Sequence, residues 1–283
     1  MVQQTKLRPP AVVIVGEVAR EPAAVNWFTA RPLFGKTILV TRPEQQSQGT
    51  VARLSGLGAK VLVQPAIEIS APADCSPVDD AIKRLSEFDW LVFSSSNGVH
   101  YFLRRLLALG HDLRWLGGVR LAAIGPGTVE ALSGYFLKTD LQPGEYRAES
   151  LAAALAPFTR GKRVLLARAS RGREVLAEML TAAGANVEQA VVYESRDVTA
   201  IDEELAVEIR SGQIDWVTVT SPAIARSLAK MFGQSLRKTK LATISPLTAE
   251  VARELGFEPA AVAEIYTTDG VIDAILRAEG HAV

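Results

Sequence analysis

Residues 89–99 read DWLVFSSSNGV, and residues 215–225 read DWVTVTSPAIA. Each opens on Asp-Trp, continues as an apolar or β-branched run, and ends in small hydroxyl residues ahead of a helical pattern. A short run of this kind reads as a strand buried on both faces. The hydroxyl residues read as a strand-to-helix corner, because Ser and Thr oxygens accept the unpaired N–H groups at a helix start. A chain that builds this corner twice carries a repeat.

The repeat extends on both sides. GKTILVTRPEQQSQGTVARLSGLGAKV from Gly35 aligns with GKRVLLARASRGREVLAEMLTAAGANV from Gly161, 126 positions later, and the Asp-Trp corners share that offset. LAAIGPGTVEAL from Leu121 aligns with LATISPLTAEVA from Leu241 at an offset of 120. Such ordered self-similarity reads as two related half-chains, not as a short-period solenoid. TILVT, VLVQP, WLVFSS and RLAAIG predict strands, and helical patterns alternate with them. QGTVARLSGLG places Val51, Leu54 and Leu57 at helical spacing and stops at Gly58, a C-cap glycine. The alternation predicts an α/β fold of doubly wound parallel sheets with helices on both faces.

The 283 residues are 48% apolar and 22% charged, the balance of an ordinary globular chain of one large or two small domains. Lys and Arg number 31, as do Asp and Glu, which argues against a nucleic-acid binder that works by overall positive charge. Local arginines and helix N-termini can still hold a carboxylate ligand. Cys75 is the single cysteine, so the chain has no disulfide framework and no thiolate zinc site. His100, His111 and His281 lack metal-ligand spacing. No apolar run approaches the ~20 residues of a membrane span. AVVIVGEVA, residues 11–19, follows Lys6 and Arg8 as the apolar part of a signal peptide would. Glu17 interrupts it and Pro9-Pro10 precede it, so a short buried strand in a cytoplasmic protein fits better. GxGxxG, GxxxxGK[ST] and GxSxG are missing, and GPGTVE has two glycines of the first without the third. No cofactor and no metal are expected.

In a doubly wound sheet, ligands bind beyond the carboxyl ends of the strands. Ser94, Ser95, Ser96 and Asn97 fall there, as do Thr220 and Ser221. Thr128 and Thr248 fall where the IGPGT and ISPLT corners start helices. Taken singly, each hydroxyl reads first as an N-cap. Together the four corners outline a cleft that accepts several carboxylates, and capping coexists with anion contact. Arg42 and Arg168 occupy equivalent strand-end positions in the repeat, which favours them over Arg171 and Arg173 as carboxylate contacts. Solvated loop charge is the alternative. Tyr193, in QAVVYESRDV, sits in a segment that reads as an interdomain linker. It either packs that linker or donates a proton into a cleft.

DWLVFSSSNGV, AAIGPGTVEAL, VVYESR, TVTSPAIA and ATISPLTAE, in this order, resemble uroporphyrinogen-III synthase over residues 35–275. The resemblance implies two flavodoxin-like domains joined by a two-stranded linker, one inserted in the other. Residues 35–68 plus 196–283 would form the first, 73–190 the second, and 66–73 and 191–198 the linkers. It implies cyclisation of hydroxymethylbilane, a linear tetrapyrrole, to uroporphyrinogen III with inversion of ring D and loss of water. It matches Tyr193 to the tyrosine suspected as general acid. It matches Thr128, Ser221 and Thr248 to cleft hydroxyls and Ser95 to the first-corner serine, with Ser96 beside it. The family often carries a further threonine where this chain has Leu247. A monomer that receives its substrate from hydroxymethylbilane synthase, with no nucleic-acid or membrane partner, completes the expectation. Residues 1–34 resemble the extreme C-terminus of uroporphyrinogen-III C-methyltransferase and read as a poorly packed fusion remnant without methyl transfer. The competing expectation is a two-domain protein that binds small anions without chemistry.

Overall fold

A computed structural model describes residues 15–17 and 27–282. Most of the stretch read as a remnant, and of the strand expected over residues 11–19, lies outside the described residues. In chain order the structure runs β1 (Thr37–Val40), α1 (Gln48–Gly56), β2 (Lys60–Val63), β3 (Ile67–Ser70), α2 (Ser76–Lys83), β4 (Trp90–Phe93) and α3 (Ser96–Ala108). It continues through β5 (Arg120–Ala123), α4 (Pro126–Ser133), α5 (Ala148–Thr159), β6 (Arg163–Ala169), α6 (Val175–Ala182), β7 (Asn186–Asp197) and α7 (Glu203–Ser211). It ends with β8 (Trp216–Val219), α8 (Pro222–Phe232), β9 (Lys240–Thr243), α9 (Pro246–Glu254), β10 (Ala261–Val262) and α10 (Thr268–Ala278). Among the described residues no helix is long and apolar enough to cross a membrane.

These strands form two five-stranded sheets, ordered β10-β9-β8-β1-β2 and β3-β7-β6-β4-β5. Among the described residues all pairings of these strands are parallel except β3 with β7. Each sheet is buried on both faces, which is why its strands lack polar alternation. In the first, Leu39, Val217 and Leu241 pack under α7, α8 and α9, while Ile38, Val40 and Trp216 pack under α1 and α10. In the second, Leu91, Phe93 and Leu165 face α2, α3 and α4, and Trp90, Val92 and Leu166 face α5 and α6.

The repeated Asp-Trp is a register lock. Asp215, just before β8, accepts the Thr37 amide of β1 at 2.7 Å. Asp89, just before β4, accepts the Arg163 amide of β6 at 2.9 Å. Thr37 and Arg163 are themselves 126 positions apart. The repeat therefore pairs β1 with β6 and β8 with β4, yet each sheet takes one strand of each pair. Leu141, bridged to Ala122, occupies in the second sheet the place that β10 takes beside β9. Leu33 falls inside the stretch read as a remnant, but its side chain is fully buried in the first sheet's core and its amide bonds Leu57 at 2.9 Å. That contact corrects the expectation of poor packing at Leu33. Gly58, just past α1, has φ +96°, and a Cβ there would meet the Arg31 Cβ at 2.8 Å. Only glycine fits this stop.

At the end away from the strand C-termini, Glu279 closes α10 onto the first sheet. Its carboxylate bonds Lys36 at 2.6 Å, Lys240 at 2.8 Å and the Trp216 indole at 2.9 Å. Burial acts to raise its pKa, and these hydrogen bonds and charges outweigh it, holding the group at about 2 against an ordinary 4.5. A depressed carboxylate contributes stability above its unfolded value and loses it as pH falls toward the folded one. Discounted for the partly exposed lysines, the cluster contributes about 2 kcal/mol at pH 7. We expect Glu279→Gln to lose that increment at pH 7, measured by urea denaturation. The gap between the two proteins should narrow steadily once the pH drops below 4.5.

Candidate active site

The carboxyl edges of the two sheets face each other across a cleft of about 970 Å³. Helices α3 and α4 from one side and α8, α9 and α10 from the other start at its wall. Four of these starts carry a hydroxyl cap. Ser95 accepts the Gly98 amide at 3.0 Å, Ser221 the Ile224 amide at 3.2 Å, Ser245 the Thr248 amide at 3.3 Å and Thr267 the Gly270 amide at 3.0 Å. Pro126, Pro222 and Pro246 take the first helical position, where a missing N–H costs nothing. The next amides in α4 and α8, those of Gly127 and Ala223, line the cleft and have no acceptor among the described hydrogen bonds. Such unpaired donors, with the positive ends of the helix dipoles, favour anions.

Sequence reasoning put Thr128 and Thr248 at the helix starts. Each is the third residue of its helix, in the first turn and buried at the cleft wall, with Gly125 and Ser245 at the caps. The Ser245 hydroxyl lies 3.1 Å from that of Thr248 and orients it. Ser245 was missed, although Ser245-Pro246 repeats the Ser221-Pro222 pattern. Leu247, on the turn between them, is 41% exposed. Ser95, Ser96 and Ser221 all line the cleft.

Tyr193 reaches the cleft through a bulge. Arg168 pairs with Val191, but Ala169 pairs with Tyr193, so Val192 is skipped. Strand side chains alternate between faces, and an inserted residue breaks the alternation. Val192 and Tyr193 consequently both face the second sheet's core, whereas Val191 is 37% exposed. The phenol stacks on Tyr101 with centroids 5.7 Å apart, and its hydroxyl lies 3.1 Å from the Ser95 hydroxyl. Burial pushes its pKa up, opposed by hydrogen bonds from Ser95 and Asn97 and by the charge of Arg171. The group therefore holds its proton at neutral pH.

The two repeat-related arginines part company. Arg42 lines the cleft, bonds the Gln46 side-chain oxygen at 3.0 Å and has no carboxylate partner among the described residues. Burial lowers its pKa, yet an arginine stays charged. Arg168 does not line the cleft, which corrects the sequence expectation. β1 ends at Val40, so Arg42 is free of the strand, but β6 runs on to Ala169 and keeps Arg168 in its alternation. Its side chain falls on the α6 side, bonded to Glu174 and to Gln189. Arg171, two residues past the strand, takes the cleft position instead. It bonds Ser195 at 3.1 Å and Asp197 at 2.5 Å, and its remaining terminal nitrogen is buried without a partner. Arg173 pairs with Glu149 at 2.5 Å.

Sequence reasoning also missed Arg104, His100 and Tyr135 on one wall and the Tyr146–Tyr266 edge-to-face pair that bridges the two sides. Burial first, and the Arg104 charge second, lower the His100 pKa, so its ring is neutral at pH 7. Among the described residues, Glu130 is the only acid on a wall that carries Arg42, Arg104 and Arg171.

The family model described as Uroporphyrinogen-III synthase HemD matches residues 48–273. The chain is 32% identical over 255 residues to the uroporphyrinogen-III synthase of Synechococcus elongatus, covering 87% of this chain and 96% of that one. It is 27% identical over 279 residues to the porphyrin biosynthesis protein HemD of Ruminiclostridium josui, a match spanning 98% of this chain and 55% of the relative. A mutant uroporphyrinogen III synthase structure from Thermus thermophilus shares the fold, with a TM-score of 0.63 at 19% identity over 86% of this chain and 98% of that one.

Arg42→Ala should leave the melting temperature unchanged and weaken binding of an octacarboxylate porphyrin by about tenfold, the worth of one charge-assisted hydrogen bond. Fluorescence titrations at low and at high salt should show a flatter salt dependence for the variant.

Proposed function

The chain belongs to the uroporphyrinogen-III synthase family, and we propose that its cleft is where hydroxymethylbilane closes to uroporphyrinogen III with inversion of ring D and loss of water. The observation that carries the reading is the Tyr193 hydroxyl, protonated and hydrogen-bonded, on a wall of unpaired amides and arginines. The substrate's eight carboxylates complement that wall. Held there, a floppy chain meets its own other end, which free bilane does only without inversion.

The reaction begins at the hydroxymethyl group of ring A. Tyr193 gives its proton to the leaving hydroxyl, the pyrrole nitrogen lone pair expels water, and an azafulvene remains. The substituted carbon of ring D forms a bond to the azafulvene methylene, giving a spiro centre. The older bond from that carbon to the bridge methylene then breaks. The freed methylene bonds the unsubstituted carbon of ring D, which loses its hydrogen as a proton, and the Tyr193 phenolate takes it back. The departed hydroxyl and that hydrogen sum to the water lost. Ser95, Asn97 and the Arg171 charge stabilise the phenolate between the two transfers.

We further propose two flavodoxin-like domains, residues 35–68 plus 196–283 and residues 73–190, hinged by linkers 66–73 and 191–198. The antiparallel β3–β7 pair supports that division. Closure over the substrate, a monomeric state and hand-over from hydroxymethylbilane synthase belong to the same reading.

Freshly made hydroxymethylbilane should give the type III isomer with this protein, resolved by chromatography. Type I alone, at the spontaneous rate, would end the reading. Tyr193→Phe is expected to lower kcat by about a hundredfold with an unchanged circular dichroism spectrum.

A further inference from the structure

A hydrogen bond from the Gln46 side-chain amide to the Asn97 side-chain oxygen joins the two sides of the cleft at 2.7 Å. A ring contact joins them again where each sheet is farthest from the connection. β2 and β3, which follow each other in the chain, are outer strands of their sheets, and β10 and β5 are the opposite outer strands. Four strand spacings, on the order of 20 Å, separate the two edges of a sheet. Tyr266 follows β10, and Tyr146 lies against Gly125, just past β5. Their rings meet edge to face, with centroids 5.9 Å apart and planes at 88°.

The contact is built from equivalent positions, because Tyr146 and Tyr266 are 120 residues apart, the offset of the IGPGT and ISPLT corners. A glycine seats each ring. A Cβ at Gly125 would meet the Tyr146 Cβ at 3.1 Å and its Cγ at 3.2 Å, so the position equivalent to the Ser245 cap gives up a hydroxyl to admit the ring. A Cβ at Gly270 would overlap the Ile265 carbonyl oxygen at 2.0 Å, so glycine there lets the chain fold over the start of α10 and present Tyr266. Both rings line the cleft, and neither belongs to the core of a sheet. They are 40% and 38% exposed.

We propose that Tyr146 and Tyr266 determine which isomer forms, by holding the mouth of the cleft shut until ring D has inverted. The inference rests on the reading of the cleft as the site of cyclisation. Once water has left ring A, the azafulvene has two fates. Enclosed, it is attacked by the substituted carbon of ring D. Released, it bonds the unsubstituted carbon, whose hydrogen passes to solvent as a proton while solvent reprotonates the Tyr193 phenolate, and type I results. A contact at the edge farthest from the connection has the longest lever arm over opening, and an edge-to-face pair shifts that equilibrium by about fivefold.

Single-turnover reactions with protein in excess over hydroxymethylbilane test it, the isomers being separated by chromatography. The type I share is extrapolated to saturating protein, where closure of substrate that never bound drops out. Tyr146→Ala and Tyr266→Ala should each raise that share about fivefold, and the double variant should stay within about twofold of either. Phenylalanine at either position keeps the ring contact and should stay within about twofold of wild type. An unchanged share in the alanine variants, multiplied effects in the double variant, or phenylalanine variants that match alanine would overturn the inference and leave the cyclisation standing. Type I alone from the wild-type protein would overturn both.

Discussion

A four-residue antiparallel ladder decides whether the two carboxyl edges face each other at all. β3 pairs with the end of β7 from Ile67 with Asp197 to Ser70 with Glu194. β7 enters this ladder directly from its parallel pairing with β6, so the second sheet and the connection are one continuous strand. Both sides hold the ladder down. The buried Ser227 hydroxyl of α8 bonds the Ala66 carbonyl at 2.5 Å, the Tyr101 hydroxyl bonds the Ile69 carbonyl at 3.1 Å, and Asp197 lies between Arg171 and Lys230. The bulge that turns Tyr193 inward sits where parallel pairing gives way to antiparallel. The geometry of the connection and the aim of the phenol are thus one constraint.

The cleft concentrates positive potential that a folded protein would otherwise disperse. Helix N-termini supply fixed partial charges that cost no reorganisation when a ligand arrives. The arginines supply reach. Without an anion these groups repel one another, a local penalty that functional sites commonly carry and the rest of the fold offsets. The counterweight lies at the opposite edges of the sheets, where Asp89, Asp215 and Glu279 accept backbone amides, lysines and an indole.

Most of the layering was legible because it rests on local pattern. The apolar runs marked the strands, the hydroxyl corners marked the helix starts, and the Asp-Trp repeat marked equivalent strands. The dealing of equivalent strands into different sheets was invisible to periodicity and came only with the family resemblance. Arg168 misled because equivalence in sequence ignores that β6 is three residues longer than β1. The bulge at Val192 left no mark, since AVVY is apolar throughout and hides the break in alternation. Gln46 with Asn97, and Tyr146 with Tyr266, depend on how the two sheets sit relative to each other, which no short-range rule encodes.

The dealing of strands also sets an order on the ribosome. Every strand of the second sheet from β4 to β7 is contiguous in sequence, so that layer can close as soon as it emerges. β1 and β2 emerge first yet find β8 only after more than half the chain has followed, and closing so long a separation is slow. Two apolar strands wait without their sheet throughout that interval, the circumstance in which chaperones earn their place.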